Sequence, residues 1–271
     1  MKNLLVACSL LLIVADARAQ ERVLRVAADP NNLPFSNQRL EGFENKIAEL
    51  IARELHAKIQ YEWHAQRRGF FRETLKQGDV DLVLGVPAHF DMALTTAPYY
   101  RSTYVFVSRK DRHLNVSSFD DPKLRELKIG VQLIGNDGRD TPPAHALATR
   151  GIINNVRGFT LYGDYAKPNP PARIMEAVGE GNVDLAIVWG PLAGFFAKQS
   201  KVPLELAPVA PEKDGELRFA FDVSLGVKKS NVELKSQLDK ILSEHRDEID
   251  CILDNYNLPR AQHDQQIVNQ K

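Results

Sequence analysis

The side chains of this chain that could do chemistry sit in loops after apolar runs, and their types suit binding more than bond breaking. Asp29, Asn31 and Asn32 share a turn-dense stretch with Phe35, from Asp29 to Asn37. Such groups either face a ligand or partner or bond their own backbone, and the second use is expected for at least two of the three. Gln66-Arg67-Arg68 can hold an anion or an acidic partner patch, or can be a solvated loop. His89 and Asp91 are two residues apart, a loop spacing that makes no metal site by itself. Asn136 and Asp137 belong to Gly135-Asn136-Asp137-Gly138-Arg139-Asp140, which has oxygen donors but neither the length nor the terminal Glu of an EF-hand loop. That segment reads as a turn, or as a helix approach that receives a carboxylate. Tyr162 and Asp164 lie in Tyr162-Gly163-Asp164-Tyr165, a partner-facing loop or an exposed hairpin tip. The sequence has no paired Cys and His, no G-x-S-x-G, no phosphate loop and no metal-ligand spacing. Neither a catalytic set nor a metal nor a cofactor is therefore expected.

Positioning those loops falls to a stretch that occurs twice. Gly78-Asp79-Val80-Asp81-Leu82-Val83-Leu84-Gly85-Val86-Pro87 is echoed by Gly181-Asn182-Val183-Asp184-Leu185-Ala186-Ile187-Val188-Trp189-Gly190-Pro191. Each copy predicts a helix stop, a short strand apolar on both faces, and a Gly and Pro that break it. The copies begin about 100 residues apart, too far for a solenoid repeat and suited to two similar lobes. One large sheet using the same punctuation twice is the alternative.

Around the first copy the pattern is βαβαβ, the mark of a parallel α/β unit. Arg22–Ala28 predicts a strand, and Glu44–Ala57 a helix with Ile47, Leu50, Ile51 and Leu55 inward and charges outward. Ile59–Trp63 predicts a second strand, and Phe70–Gln77 a short helix. Tyr99–Val107 leaves this unit as an extended strand, with Tyr99 and Tyr100 packing at the lobe edge near the hinge. Lys128–Val131 restarts the cycle. Thr141 as N-cap before Pro142 opens a helix; Asn169-Pro170-Pro171 repeats the device before a helix over Ala172–Val178, and Pro191–Gln199 predicts another. Phe219–Val227 is a strand, and Ser230 with Glu233 forms a capping box for a long helical region through Leu253. The chain thus crosses between lobes near Tyr104–Ser108 and Phe219–Asp222, the geometry of a hinge. Lobe 1 is expected over 20–106 and 220–260, lobe 2 over 107–219, and a polar tail over 261–271. Ligands in such sheets bind beyond the carboxyl ends of strands. That rule adds Val86, Pro87, His89, Arg101 and Trp189 to the candidate cleft residues. Trp189 is either an aromatic wall of the cleft or a plug packed into it or the core.

Composition narrows the partners. Thirty-five basic and thirty-five acidic residues give a formal net charge of zero, against nucleic acid or an anionic surface as the main target. Met1–Ala19 reads as an export signal: a basic start, the apolar run Leu4–Val14 and an Ala17-Arg18-Ala19 cleavage site. No later segment approaches membrane-spanning length. Cys8 falls within that signal, which leaves Cys251 without a disulfide partner, expected to be a packed thiol.

Asp81–Pro87 followed by Thr-Thr-Ala-Pro-Tyr-Tyr-Arg-Ser-Thr-Tyr-Val-Phe-Val at Thr95–Val107 resembles family 3 periplasmic solute-binding proteins. The resemblance spans Leu24 to Pro259. It implies an α/β fold of the periplasmic binding protein type II kind: two lobes, each a mainly parallel sheet flanked by helices, joined by a two-strand hinge. A narrower resemblance is to the MxaJ/XoxJ-type proteins associated with periplasmic quinoprotein alcohol dehydrogenases. Ala28–Asn37, Ala65–Phe70, Pro98–Ser102, Thr141–Leu147, Tyr162–Tyr165 and Val188–Gly194 carry it in the same order. Relatives often carry Cys where this chain has Ala27 and Val80, so any crosslink they form there is missing.

Ordinary family 3 receptors hold an amino acid between an Arg after the first lobe's third strand and an Asp after the second lobe's strand. Here the first loop, Pro87-Ala88-His89-Phe90-Asp91-Met92, has no Arg, and Trp189 takes the Asp position. Arg67, Arg68 or Arg101 could stand in for the first anchor. The resemblance therefore implies a non-enzymatic, periplasmic accessory protein. Its partner would be a PQQ-dependent alcohol or methanol dehydrogenase, bound during maturation or activation. A receptor delivering a small organic solute to an ABC importer is the alternative.

Overall fold

The computed structural model describes residues 21–67, 69–134, 139–160, 165 and 167–259. The expected export signal, the polar tail, and Arg68, Asn136, Asp137, Tyr162 and Asp164 lie outside these residues. Strand β1 (Arg22–Ala28) runs parallel to β2 (Ala57–Trp63) on one side and β3 (Leu82–Pro87) on the other, with helix α1 (Phe43–Glu54) between β1 and β2 in the chain. Then come β4 (Tyr100–Arg109), β5 (Ile129–Ile134), α2 (Pro142–Thr149), β6 (Val156–Thr160), α3 (Arg173–Gly179), β7 (Leu185–Trp189), α4 (Gly190–Gln199) and β8 (Leu204–Pro208). The chain ends in β9 (Ala220–Val227), α5 (Val232–Glu244) and α6 (Arg246–Asn255). No helix among the described residues is long and apolar enough to cross a membrane.

The hydrogen-bonded order is β6-β5-β7-β4-β9-β3-β1-β2, with β8 also on β4. Strand β4 makes this continuity possible because it changes neighbours along its length. Its first residues, Tyr100–Thr103, pair antiparallel with Val223–Ala220 of β9; from Tyr104 onward it pairs with β7 and β8.

The apolar runs of the repeat are buried on both faces, as their lack of alternation requires. In β7, Leu185 and Ile187 join a cluster with Phe106, Ile129 and Leu147, while Ala186 and Val188 join one with Ile174, Val178 and Phe196. In β3, Leu82 and Leu84 face Phe43, Ile47 and Ile51 of α1, while Val83 and Val86 face Phe70, Leu75 and Val80. Helices α5 and α6 complete the α1 side through Leu238, Ile249 and Leu253. A fully buried side chain of this size contributes about 1.5–3 kcal/mol.

Several local expectations are corrected. Asn231, not Ser230, caps α5, its side chain accepting from the Leu234 amide. The helical region breaks at His245 into α5 and α6. Thr141 stands at the N-cap of α2, but its hydroxyl donates to the Gln132 carbonyl at 2.9 Å. Cys251 is exposed, because the buried stripe of α6 runs through Ile249 and Leu253. Phe70–Gln77 coils as a π-helical turn over Arg72–Lys76.

Candidate functional site

The carboxyl ends of the strands converge on a cavity of about 540 Å³. The loop after β1 contributes Asn32 and Phe35, α1 contributes Glu44, and the loop after β2 contributes Gln66 and Arg67. Phe70 and Phe71, with Phe90 and Met92, form one apolar wall beside Gly85 and Pro87 of β3. Opposite them stand Trp189, Leu192, Gln132 and Thr141, and the sheet strands β4 and β9 supply Tyr100, Tyr104 and Phe221.

The polar groups at and beside the cavity are internally bonded. Asp29 is buried; its carboxylate accepts from the Asn31 amide at 2.8 Å and the Gln66 amide at 2.7 Å, tying the loop after β1 to the loop after β2. Burial raises the Asp29 pKa, and these amides, with the Tyr165 hydroxyl, oppose the rise. Tyr165 in turn is pushed up to about 12, by burial first and by the Asp29 charge second. Asn32 donates through Nδ2 to Gln66 Oε1 at 2.9 Å, and Asn31 donates to the Lys167 carbonyl at 2.8 Å. Only Asp29 of the three makes the local turn bond, so the expectation of two is corrected. The carboxamides instead bridge to other segments.

Trp189 sits at the mouth of β7 by a specific arrangement. Its amide donates to Oε1 of buried Gln132 at 2.8 Å. Its indole packs edge-on against Tyr104 at 5.3 Å and Phe221 at 5.9 Å and hydrogen-bonds the Tyr100 hydroxyl. Trp189 is thus a half-buried cleft wall that also packs on the α1-side core.

Of the sequence-derived candidates, Asn32, Phe35, Gln66, Arg67, Pro87 and Trp189 line the cavity, and Asp29 and Asn31 lie beside it. Three candidates are not part of its lining. Val86 is fully buried in the core, because a register shift in the β3–β9 ladder leaves Leu84 and Gly85 opposite Leu225 alone. That bulge turns Val86 away from the cleft. His89 is exposed, with φ near +60°, and its amide donates to Thr95. Arg101 is held on β4 by Glu212 at 2.6 Å and by Asp222 at 3.3 Å, its cross-strand neighbour on β9. Tyr99 is core, as expected near the hinge strand, but Tyr100 lines the cavity.

Glu44 was hidden in the sequence, on what reads as the solvated face of α1. It is 6% exposed, and its Oε1 has no hydrogen-bond partner. Gly85 makes room for it: a Cβ there would stand 2.5 Å from that oxygen, and φ of +71° already favours glycine. Burial foremost, and then the nearby Asp29 charge, push the Glu44 pKa up to about 8. Phe70, Phe71 and Phe90 were also missed as site residues, since an aromatic in a short helix or loop carries no positional signal. Among the described residues, Glu44 is the carboxyl group and Arg67 the guanidinium lining the cavity, and no three His, Cys, Asp or Glu side chains gather as metal ligands.

Residues 24–258 match the profile of the bacterial extracellular solute-binding proteins, family 3. The chain belongs to that family. Within it the chain is of the MxaJ/XoxJ type. It is 34% identical to the periplasmic binding protein XoxJ from Methylobacterium extorquens AM1, whose crystal structure it matches with a TM-score of 0.72 over 89% of this chain and 100% of that one. It is 25% identical to MxaJ from Methlophaga aminisulfidivorans MPT, also with a TM-score of 0.72, over 88% of this chain and 100% of that one. It is 29% identical over 256 residues to Protein MoxJ of Methylorubrum extorquens, covering 90% of this chain and 83% of that protein. The mixed α/β architecture is that of the type II periplasmic binding proteins.

Proposed function

We propose that this protein is a periplasmic, non-enzymatic accessory partner of a PQQ-dependent alcohol or methanol dehydrogenase, which it engages during maturation or activation. The observation that carries the reading is the kinship with XoxJ, MxaJ and MoxJ along nearly the whole chain. The cleft is consistent with it. A free amino acid needs a bidentate donor for its carboxylate and a carboxylate for its ammonium. Arg101 is committed to Glu212 and Asp222, Trp189 takes the second anchor's place, and the walls are rings. A broad apolar cleft is the kind of surface that receives a protein segment. As part of the same proposal, residues 20–106 with 220–260 and residues 107–219 act as two lobes that close about the crossing of β4 and β9. Deleting this protein in its own cells should lower dehydrogenase activity and PQQ or metal occupancy. Unchanged activity and occupancy would contradict the reading.

A second reading, a receptor for a small organic solute, is favoured by one observation: the unpartnered Glu44 carboxyl at the cavity floor. It predicts a shift in melting temperature with one compound of a metabolite panel.

A further inference from the structure

Neighbouring polar side chains each already hold a partner. Asn32 and Gln66 bond each other, Gln132 Oε1 receives the Trp189 amide, and Asp29 receives two backbone amides. Among the described residues, Glu44 alone of the lining carboxyl and carboxamide groups has a buried oxygen with no donor. A buried acceptor left without a donor costs stability, so such a group in a cavity marks a place that a ligand completes. The surroundings select the ligand's charge. Phe35, Tyr100, Trp189 and Phe221 line the same cavity, and ring faces attract cations. Among the described residues Arg67 is the one cationic side chain lining the cavity; it is on the exposed loop after β2, near Tyr165, and no buried cation stands beside Glu44 to hold a carboxylate.

We propose that the cleft floor binds a small organic monocation, an amine whose ammonium rests against Glu44 and whose apolar body lies among the rings. The site takes an amine in preference to an amino acid, because the one charged anchor buried in its described lining is a carboxyl, Arg67 being exposed. Groups facing Glu44 are Asp29 behind it, Tyr61 and Tyr99 in the core, Tyr100 on β4 and Arg67 on the loop after β2. With its pKa near 8 the Glu44 carboxyl is protonated at neutral pH. Seating an ammonium therefore expels that proton to solvent, and affinity rises with pH until the carboxyl is already ionised. The inference does not require the dehydrogenase, so the two can fail separately.

Calorimetric titration of the full exported chain with benzylamine, benzyl alcohol and benzoate tests it, in two buffers of different ionisation heat. Benzylamine affinity should rise close to tenfold per pH unit between about pH 6 and about pH 8, with about one proton released at the lower end. Benzyl alcohol should bind at least about tenfold more weakly at pH 8 and without pH dependence, and benzoate more weakly still. Glu44→Gln should remove the preference for the amine while leaving the alcohol unchanged. Equal affinity for amine and alcohol, no binding of benzylamine, or an amine affinity that neither varies with pH nor releases a proton would overturn the proposal. If Glu44→Gln does not fold, proton release by the unsubstituted chain decides the matter.

Discussion

The two copies of the repeated stretch begin with the same device and end with different ones. At the start, Asp81 accepts from the Arg25 amide at 2.9 Å and returns its own amide to the Arg25 carbonyl. Asp184 does the same with Lys128, also at 2.9 Å. Each Asp thereby stitches the start of its strand to a parallel neighbour, β1 or β5. At the end, the first copy bulges at Gly85 and admits a buried carboxyl. The second copy runs straight to Trp189, and Gly190 and Pro191 open a helix at once. The two copies share the half that starts the strand and differ in the half that lines the cleft.

The widest difference between the copies should appear at Gly85. Gly85→Val must adopt φ of +71° and meet Glu44 Oε1. Chemical denaturation should register a loss of about 3–5 kcal/mol. Adding Glu44→Ala should recover part of it, as expected for residues that share space. A loss under about 1 kcal/mol would remove the bulge's claimed role.

The pH dependence comes next. Glu44 has a folded pKa of about 8 against an ordinary value of 4.5, so the folded state holds the proton more tightly. Its contribution is fully present below the ordinary value and is lost as pH climbs through about 8. Asp29, also raised, adds a slope of the same sign. Glu44→Gln should therefore be more stable than the parent by on the order of 2–3 kcal/mol at pH 8, with the gap shrinking toward pH 5. Parallel stability curves for the two proteins would contradict the buried, unpaired state of that carboxyl.

The smallest effects should be the matched ones. Asp81→Ala and Asp184→Ala each remove one acceptor from a strand-starting amide, and each should cost about 1 kcal/mol in the same denaturation experiment. Asp184 also pairs with Arg112 at 3.1 Å, but that guanidinium is half exposed, and such a pair adds little. Losses that differ by more than about 1 kcal/mol would break the claimed equivalence of the two stitches.

The same contrast explains what could be read from the sequence. Strands such as Leu185–Trp189 were legible because a run buried on both faces must be apolar throughout, and the helix starts at Pro142 and Gly190–Pro191 were written in prolines. Strand β6 escaped because Arg157 and Gly158 are exposed at the sheet's edge, interrupting any apolar run. The site was legible where loops follow strands: Asn32, Gln66, Pro87 and Trp189. Glu44 was not. Its burial depends on Gly85, which comes beside it only in the folded chain, and at the start of an amphipathic helix a Glu reads as solvated. Val86 failed for the complementary reason: one bulged residue inverts which way the next side chain points.

Direct binding to a purified PQQ-dependent dehydrogenase from the same cells, followed by surface plasmon resonance, tests the central reading. The account predicts saturable binding of the unsubstituted protein. Trp189→Glu, which places a charge on the cleft wall, should weaken it at least about tenfold while its circular dichroism stays native. Absence of binding to both the cofactor-loaded and cofactor-free dehydrogenase, or an affinity untouched by Trp189→Glu, would contradict a cleft built to receive that partner.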